Sequence, residues 1–168
     1  MVAERDPFEN PFALDDADRR AIWEMLVPRD IDAFVAADWS AVAGDFIAQG
    51  FTALSGHFQS DPDGYTLAFP TLDAYRVEWL RQAQEFGADH KAGLFAGDPR
   101  AGIFAATRLE QIDITGDAAL VRKKFDGRLA KADGTFERMN WQTLYICRCD
   151  AGRWKIAGFV GYLPHIKE

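Results

Sequence analysis

Long apolar runs are missing from this chain of 168 residues. Nowhere do about 18 consecutive apolar residues occur, the least that a membrane-crossing helix needs, so no membrane span is expected. The opening, MVAERDPFENPFALDDADRR, lacks a basic region leading into an apolar segment of signal-peptide length, and the expectation is a soluble, cytoplasmic protein. Cysteine is scarce. Cys147 and Cys149 lie two apart in a stretch that reads as a strand, which sets their Cα atoms about 6.6 Å apart, at the upper limit for a disulfide. Two thiols are too few for a zinc site, and both read as small core hydrophobes. Positive charge is short as well: 19 Lys and Arg stand against 26 Asp and Glu, for a net charge of -7. That sign repels a nucleic-acid backbone or an anionic membrane surface and points to a small molecule or a protein as partner. There is no Gly-rich phosphate loop with its Lys-Ser/Thr, no Gly-x-Ser-x-Gly nucleophile elbow and no metal-ligand spacing. Neither a metal, a cofactor nor a covalent mechanism is expected.

What is present is a globular composition, 48% hydrophobic with 13 Phe, enough for one core in a chain of domain size. Two periods divide it. From Asp15 to Phe86 the spacing is helical. DDADRRAIWEMLV starts on aspartates suited to capping, carries Ile22, Met25 and Leu26 as a stripe, and is expected to end at Pro28. Asp30 then reads as the N-cap of a second helix, with Ile31, Phe34 and Val35 on one face and Asp38 and Trp39 a turn further along. SAVAGDFI makes a short third turn. TLDAYRVEWLRQAQEFG is capped by Thr71, striped by Leu72, Tyr75, Trp79, Ala83 and Phe86, and stopped by Gly87. Between these helices, LSGHFQSDPDGYTLAFP reads as a hairpin turning on Pro62 and Gly64, which places His57 near Ala68. From Ile103 onward the period becomes two, and short turns divide four long strands in meander order. Helices first and an antiparallel sheet afterward make an α+β domain over residues 15–168, preceded by a loose N-terminal arm, residues 1–14.

This order and three local signatures resemble the nuclear transport factor 2-like superfamily, in its SnoaL-like and ketosteroid-isomerase-like branches. The signatures are AFVAADWSAVAGDF, ITGDAALVR and DAGRWKIAGF. The resemblance implies a cystatin-like cone, also described as an α+β barrel: helices packed on the concave face of a strongly curved antiparallel sheet, around a pocket. It also implies a homodimer formed through the sheet. A partly rolled sheet over a long helix leaves a wedge that side chains do not fill, and such cavities are ligand sites.

The cavity's polar groups must then decide the chemistry. His57 is the side chain best suited to proton transfer near neutral pH, and in relatives the hairpin lies at the pocket rim, where Tyr65 accompanies it. Asp38 and Asp45 are the carboxylates for acid/base work, against a bland reading in which each caps or ends a short helical turn. Tyr75 and Trp79 are the wall residues expected from the long helix. Arg108 or Arg122 is the cation that an epoxide-hydrolase-like set would need, against a solvated strand face. On the third long strand Met139, Trp141, Thr143 and Tyr145 share one face, and Asn140 and Gln142 lie on the other. If the Trp-Tyr face packs on a second subunit, the two amides reach the cavity; if the parity is reversed, Trp141 and Tyr145 line it. The expected function is binding of a small, mostly apolar organic molecule, with acid/base lyase, isomerase or cyclase chemistry. The rival is a non-catalytic ligand-binding or protein-interaction module. A sealed cavity without polar groups would favour interaction; an open one holding His57 and a carboxylate would favour catalysis.

Overall fold

The computed structural model describes residues 4–165. Asp16 opens α1 (Ala17–Glu24) by accepting from the Arg19 N–H. Pro28 has no N–H for an α-helical bond and its ring crowds the preceding turn. Instead of stopping there, the chain widens into a π-helical turn, Met25–Arg29, and continues as α2 (Asp30–Ala36). Asp30 is therefore inside a continuous helix and caps nothing. Ala37, at φ 51°, ends α2 in the left-handed region. Short 3-10 turns follow at Trp39–Ala41 and Ala43–Asp45.

Thr71 caps α3 (Leu72–Lys91), as its position in the sequence implies, but the helix runs through Gly87. An interior glycine weakens a helix by about 1 kcal/mol, which does not suffice to end it. The stretch expected to begin the first long strand at Ile103 is instead α4 (Pro99–Ala106), capped by Asp98. Pro99 at its first position fits that role, and a short apolar run is compatible with either structure.

The strands are β1 (Thr52–Ser55), β2 (Thr66–Phe69), β3 (Thr107–Thr115), β4 (Ala118–Ala130), β5 (Phe136–Asp150) and β6 (Arg153–Pro164), in the order β2-β1-β6-β5-β4-β3. The last four form the meander. β1 lies parallel to β6, so the sheet is mixed, with the β1–β2 hairpin added at its edge. Gly158 permits that contact, since a Cβ there would lie 2.4 Å from the Thr52 carbonyl oxygen. In the hairpin Ser55 pairs with Thr66, and His57 is not in the ladder. The chain leaves it because His57 and Phe58 both turn left-handed, at φ 49° and 61°. Bulges in β3 and along the β5–β6 ladder bend the strands around the helical layer.

The segment expected as a loose arm is fastened where it is described. Arg5 donates to the carbonyls of Thr107 (2.7 Å) and Ala105 (3.1 Å), the Phe8 ring lies 4.7 Å from that of Phe104, and Arg20 donates to the Phe12 carbonyl. Residues 1–3 of the arm and 166–168 of the domain lie outside the described residues. Ile22, Leu26, Phe51, Phe104 and Val121 anchor the core. Cys147 is free and buried among them, and burial pushes its thiol up to about 12.

Candidate functional site

Alternation along β4 and β5 decides what faces the helices. Lys123 pairs with Thr143, Phe125 with Trp141 and Val121 with Tyr145, and side chains of directly opposed residues share a face. That face, with α2, α3 and β6, encloses a cavity of about 710 Å³, well within the roughly 300–1,000 Å³ of small-molecule sites. Its walls are largely aromatic. Phe34 meets Trp79 edge-on at 5.8 Å, Phe125 lies 4.8 Å from Trp141, and Tyr75 and Tyr145 close on Phe159 at 5.0 and 5.7 Å.

Into this apolar wall projects one ion pair. Lys123, 1% exposed, places its Nζ 2.8 Å from Asp30 Oδ2. Burying an ammonium without a counter-charge is prohibitive, and the π-turn that absorbs Pro28 supplies that counter-charge by leading α2 off with Asp30 in the cavity wall. The Nζ also lies 5.4 Å from the Phe125 ring centroid. Beside the pair, Thr143, 8% exposed, and the phenols of Tyr75 and Tyr145 line the cavity without a hydrogen-bond partner among the described residues. Burial pushes both phenols up, the neighbouring Tyr75 and then the Asp30 charge adding to it at Tyr145, and the Asp30 charge at Tyr75. Both stay protonated through the alkaline range as neutral donors. These hydroxyls are open to the cavity and free to hydrogen-bond with a group that enters it.

Of the residues singled out in the sequence, Tyr75 and Trp79 stand on the cavity wall. The others do not. His57 is exposed on the hairpin, its Nε2 2.7 Å from Thr66 Oγ1, and Tyr65 sits half-buried at the other end of that loop. Asp38 is exposed and caps the first 3-10 turn, accepting from the Ser40 N–H and hydroxyl. Asp45, 1% exposed, accepts from Arg29 Nε (2.6 Å) and Nη2 (2.9 Å) and from Arg153 Nη2 (2.7 Å), clamping its turn to the helix and to β6. Arg122 is exposed on the convex face. Asn140 and Gln142 lie there too, donating to Asp126 and to the Pro164 carbonyl, because β5 takes the parity that turns Trp141 and Tyr145 inward. The carboxylate that meets the buried lysine in the cavity wall is thus Asp30, which the sequence pattern presents as a cap. Its partner cation is Lys123, whose signal is legible in the sequence: a single lysine between Val121 and Phe125 on an otherwise apolar strand face.

No family model matches the chain, and no curated relative does. Solved structures match its fold. An NTF2-like protein with a cystatin-like fold from Novosphingobium aromaticivorans superposes with a TM-score of 0.52 at 15% identity, over 88% of this chain and 81% of that one. An NTF2-like protein of unknown function from Pseudomonas putida does so with a TM-score of 0.50 at 17% identity, over 88% of this chain and 87% of that one. The architecture is the NTF2-like, cystatin-like cone, as the signatures in the sequence implied.

Proposed function

We propose that this chain binds a small, largely apolar, ring-bearing organic molecule in the cone cavity and acts on it by acid/base chemistry centred on Asp30 and Lys123. The observation that supports it is the pairing of one buried ion pair with three partnerless hydroxyls on an aromatic wall. Asp30 takes a proton from a carbon beside a carbonyl, and Lys123 and the neutral phenols donate to the oxygen on which charge grows. The proton returns either to a neighbouring carbon, which isomerises the substrate, or to a leaving hydroxyl, which departs as water. With 2-tetralone as probe, the fluorescence of Trp79 and Trp141 should quench saturably, and NMR in D2O should show its α-protons exchanging faster with the protein than in buffer. Exchange should be lost in Asp30→Asn. Quenching without exchange leaves a binding module; neither signal sinks both readings.

Dimerisation is proposed through a different set of side chains from those the sequence first offered, since Trp141 and Tyr145 face the cavity. On the convex face Leu120 pairs with Ile146, and Leu144 with Val160, which adjoins Leu54 opposite Leu67. Leu120, Ile146, Leu54 and Leu67 are exposed, an apolar band suited to a second copy. Sedimentation at micromolar concentration should give a dimer, and Leu120→Lys with Ile146→Lys a monomer; a monomeric parent refutes the assembly.

A further inference from the structure

The cavity changes character where it opens. Outward from Trp79, the wall face of α3 carries Glu78, Gln82, Glu85 and Asp89, three or four residues apart and so aligned along the helix. Glu137 and Lys131 stand across from them. Arg81 bonds to Glu78 and Glu85, at 2.8 Å each, and with Lys131 it still leaves the carboxylates in excess. Inside, Lys123 and Asp30 cancel. The half-buried rings of Phe86 and Phe95, 5.1 Å apart, belong to the same rim. At the inner end, Thr143 is more than nine-tenths buried, and its hydroxyl faces the cavity without a partner among the described residues.

A carboxylate or phosphate on a ligand would have to sit against or pass this acidic rim, whereas an ammonium gains from it twice, through the carboxylates and through the faces of aromatic rings. Resting on the reading that the cavity takes a ring-bearing molecule, we propose that the occupant is an amine: its ring body fills the aromatic cavity, an uncharged hydrogen-bonding group reaches Thr143, and its ammonium stays in the mouth between Asp89, Glu137 and the Phe86–Phe95 pair.

Three probes that share a ring and differ in charge test this by calorimetry: 2-naphthylmethylamine, 2-naphthalenemethanol and 2-naphthoate. The amine should bind about tenfold tighter than the alcohol at low salt, with the carboxylate weakest, and salt should narrow the spread. The rim variant Glu85→Gln/Asp89→Asn/Glu137→Gln should bring the amine down to the alcohol while leaving the alcohol's affinity unchanged. Carboxylate binding as tight as the amine's overturns the proposal, as does an amine advantage that survives in the rim variant. If the alcohol binds and the amine gains nothing, the charge preference alone falls. If all three fail to bind, along with 2-tetralone, the cavity reading falls and takes this proposal with it.

Discussion

Asp45→Ala should destabilise the protein by about 3 kcal/mol, at the lower end of what removing one partner of a buried ion pair costs. Its carboxylate holds three charge-assisted hydrogen bonds from two arginines, and bonds to charged groups contribute roughly 1.5–3 kcal/mol in all but the most exposed settings. Truncation would leave two guanidinium groups facing each other across a hole. The loss stays near the lower end because the side chains of Arg29 and Arg153 are 39% and 55% exposed and can swing into water. For a domain of this size that corresponds to a fall in Tm of roughly 6–12 °C. Arg153→Ala should cost far less, about 1 kcal/mol, since the two-pronged bond from Arg29 survives. Urea unfolding at 25 °C measures both. A loss below about 1 kcal/mol for Asp45→Ala would mean that the clamp does not hold these segments together, and loss of α-proton exchange in protein that is still folded would return Asp45 to the chemistry.

The second large effect concerns Lys123. Lys123→Met preserves the length and most of the volume of the side chain but leaves Asp30 facing an aromatic wall with no cation. Exchange of the 2-tetralone α-protons should drop by about a hundredfold or more, the scale of removing one donor to a developing oxyanion. Stability should fall by about 2 kcal/mol, less than for a sealed pair, because the Asp30 side chain is 29% exposed. Adding Asp30→Leu should restore stability to near that of the parent without restoring exchange, since an apolar replacement of a whole buried pair is close to neutral. If the double variant is as unstable as the single, the pair is not coupled in this way. If exchange survives in Lys123→Met, the lysine is a strut for Asp30 and not a donor to substrate.

The features legible in the sequence were those set by local chemistry. Thr71 announces the long helix, the short Gly- and Asp-rich turns divide the meander, and the stripe through Tyr75 and Trp79 reaches the cavity. What stayed hidden depends on distant partners. Pro28 reads as a stop because its missing N–H normally ends a helix, and only packing against the sheet rewards the π-turn that carries the chain past it. In its local sequence Asp30 therefore reads as a cap. Alternation in β5 defines two faces without saying which is inward, and the amides on one and the aromatics on the other suited either parity. Histidine is a side-chain type suited to proton transfer, yet the paired left-handed residues turn His57 out of the ladder. The parallel contact between β1 and β6 joins segments on the order of a hundred residues apart, and no local signal encodes it.

That contact also orders events in time. Residues 45–55 are tied to the sheet chiefly through β6: Asp45 by Arg153, Phe46 beside Ile156, and β1 along Gly158 to Gly161. Until that strand exists, the hairpin has no edge to join and the wall that Phe159 completes is absent. During synthesis the helical half must wait with its aromatic stripe uncovered, and it becomes a container only when the chain returns to it.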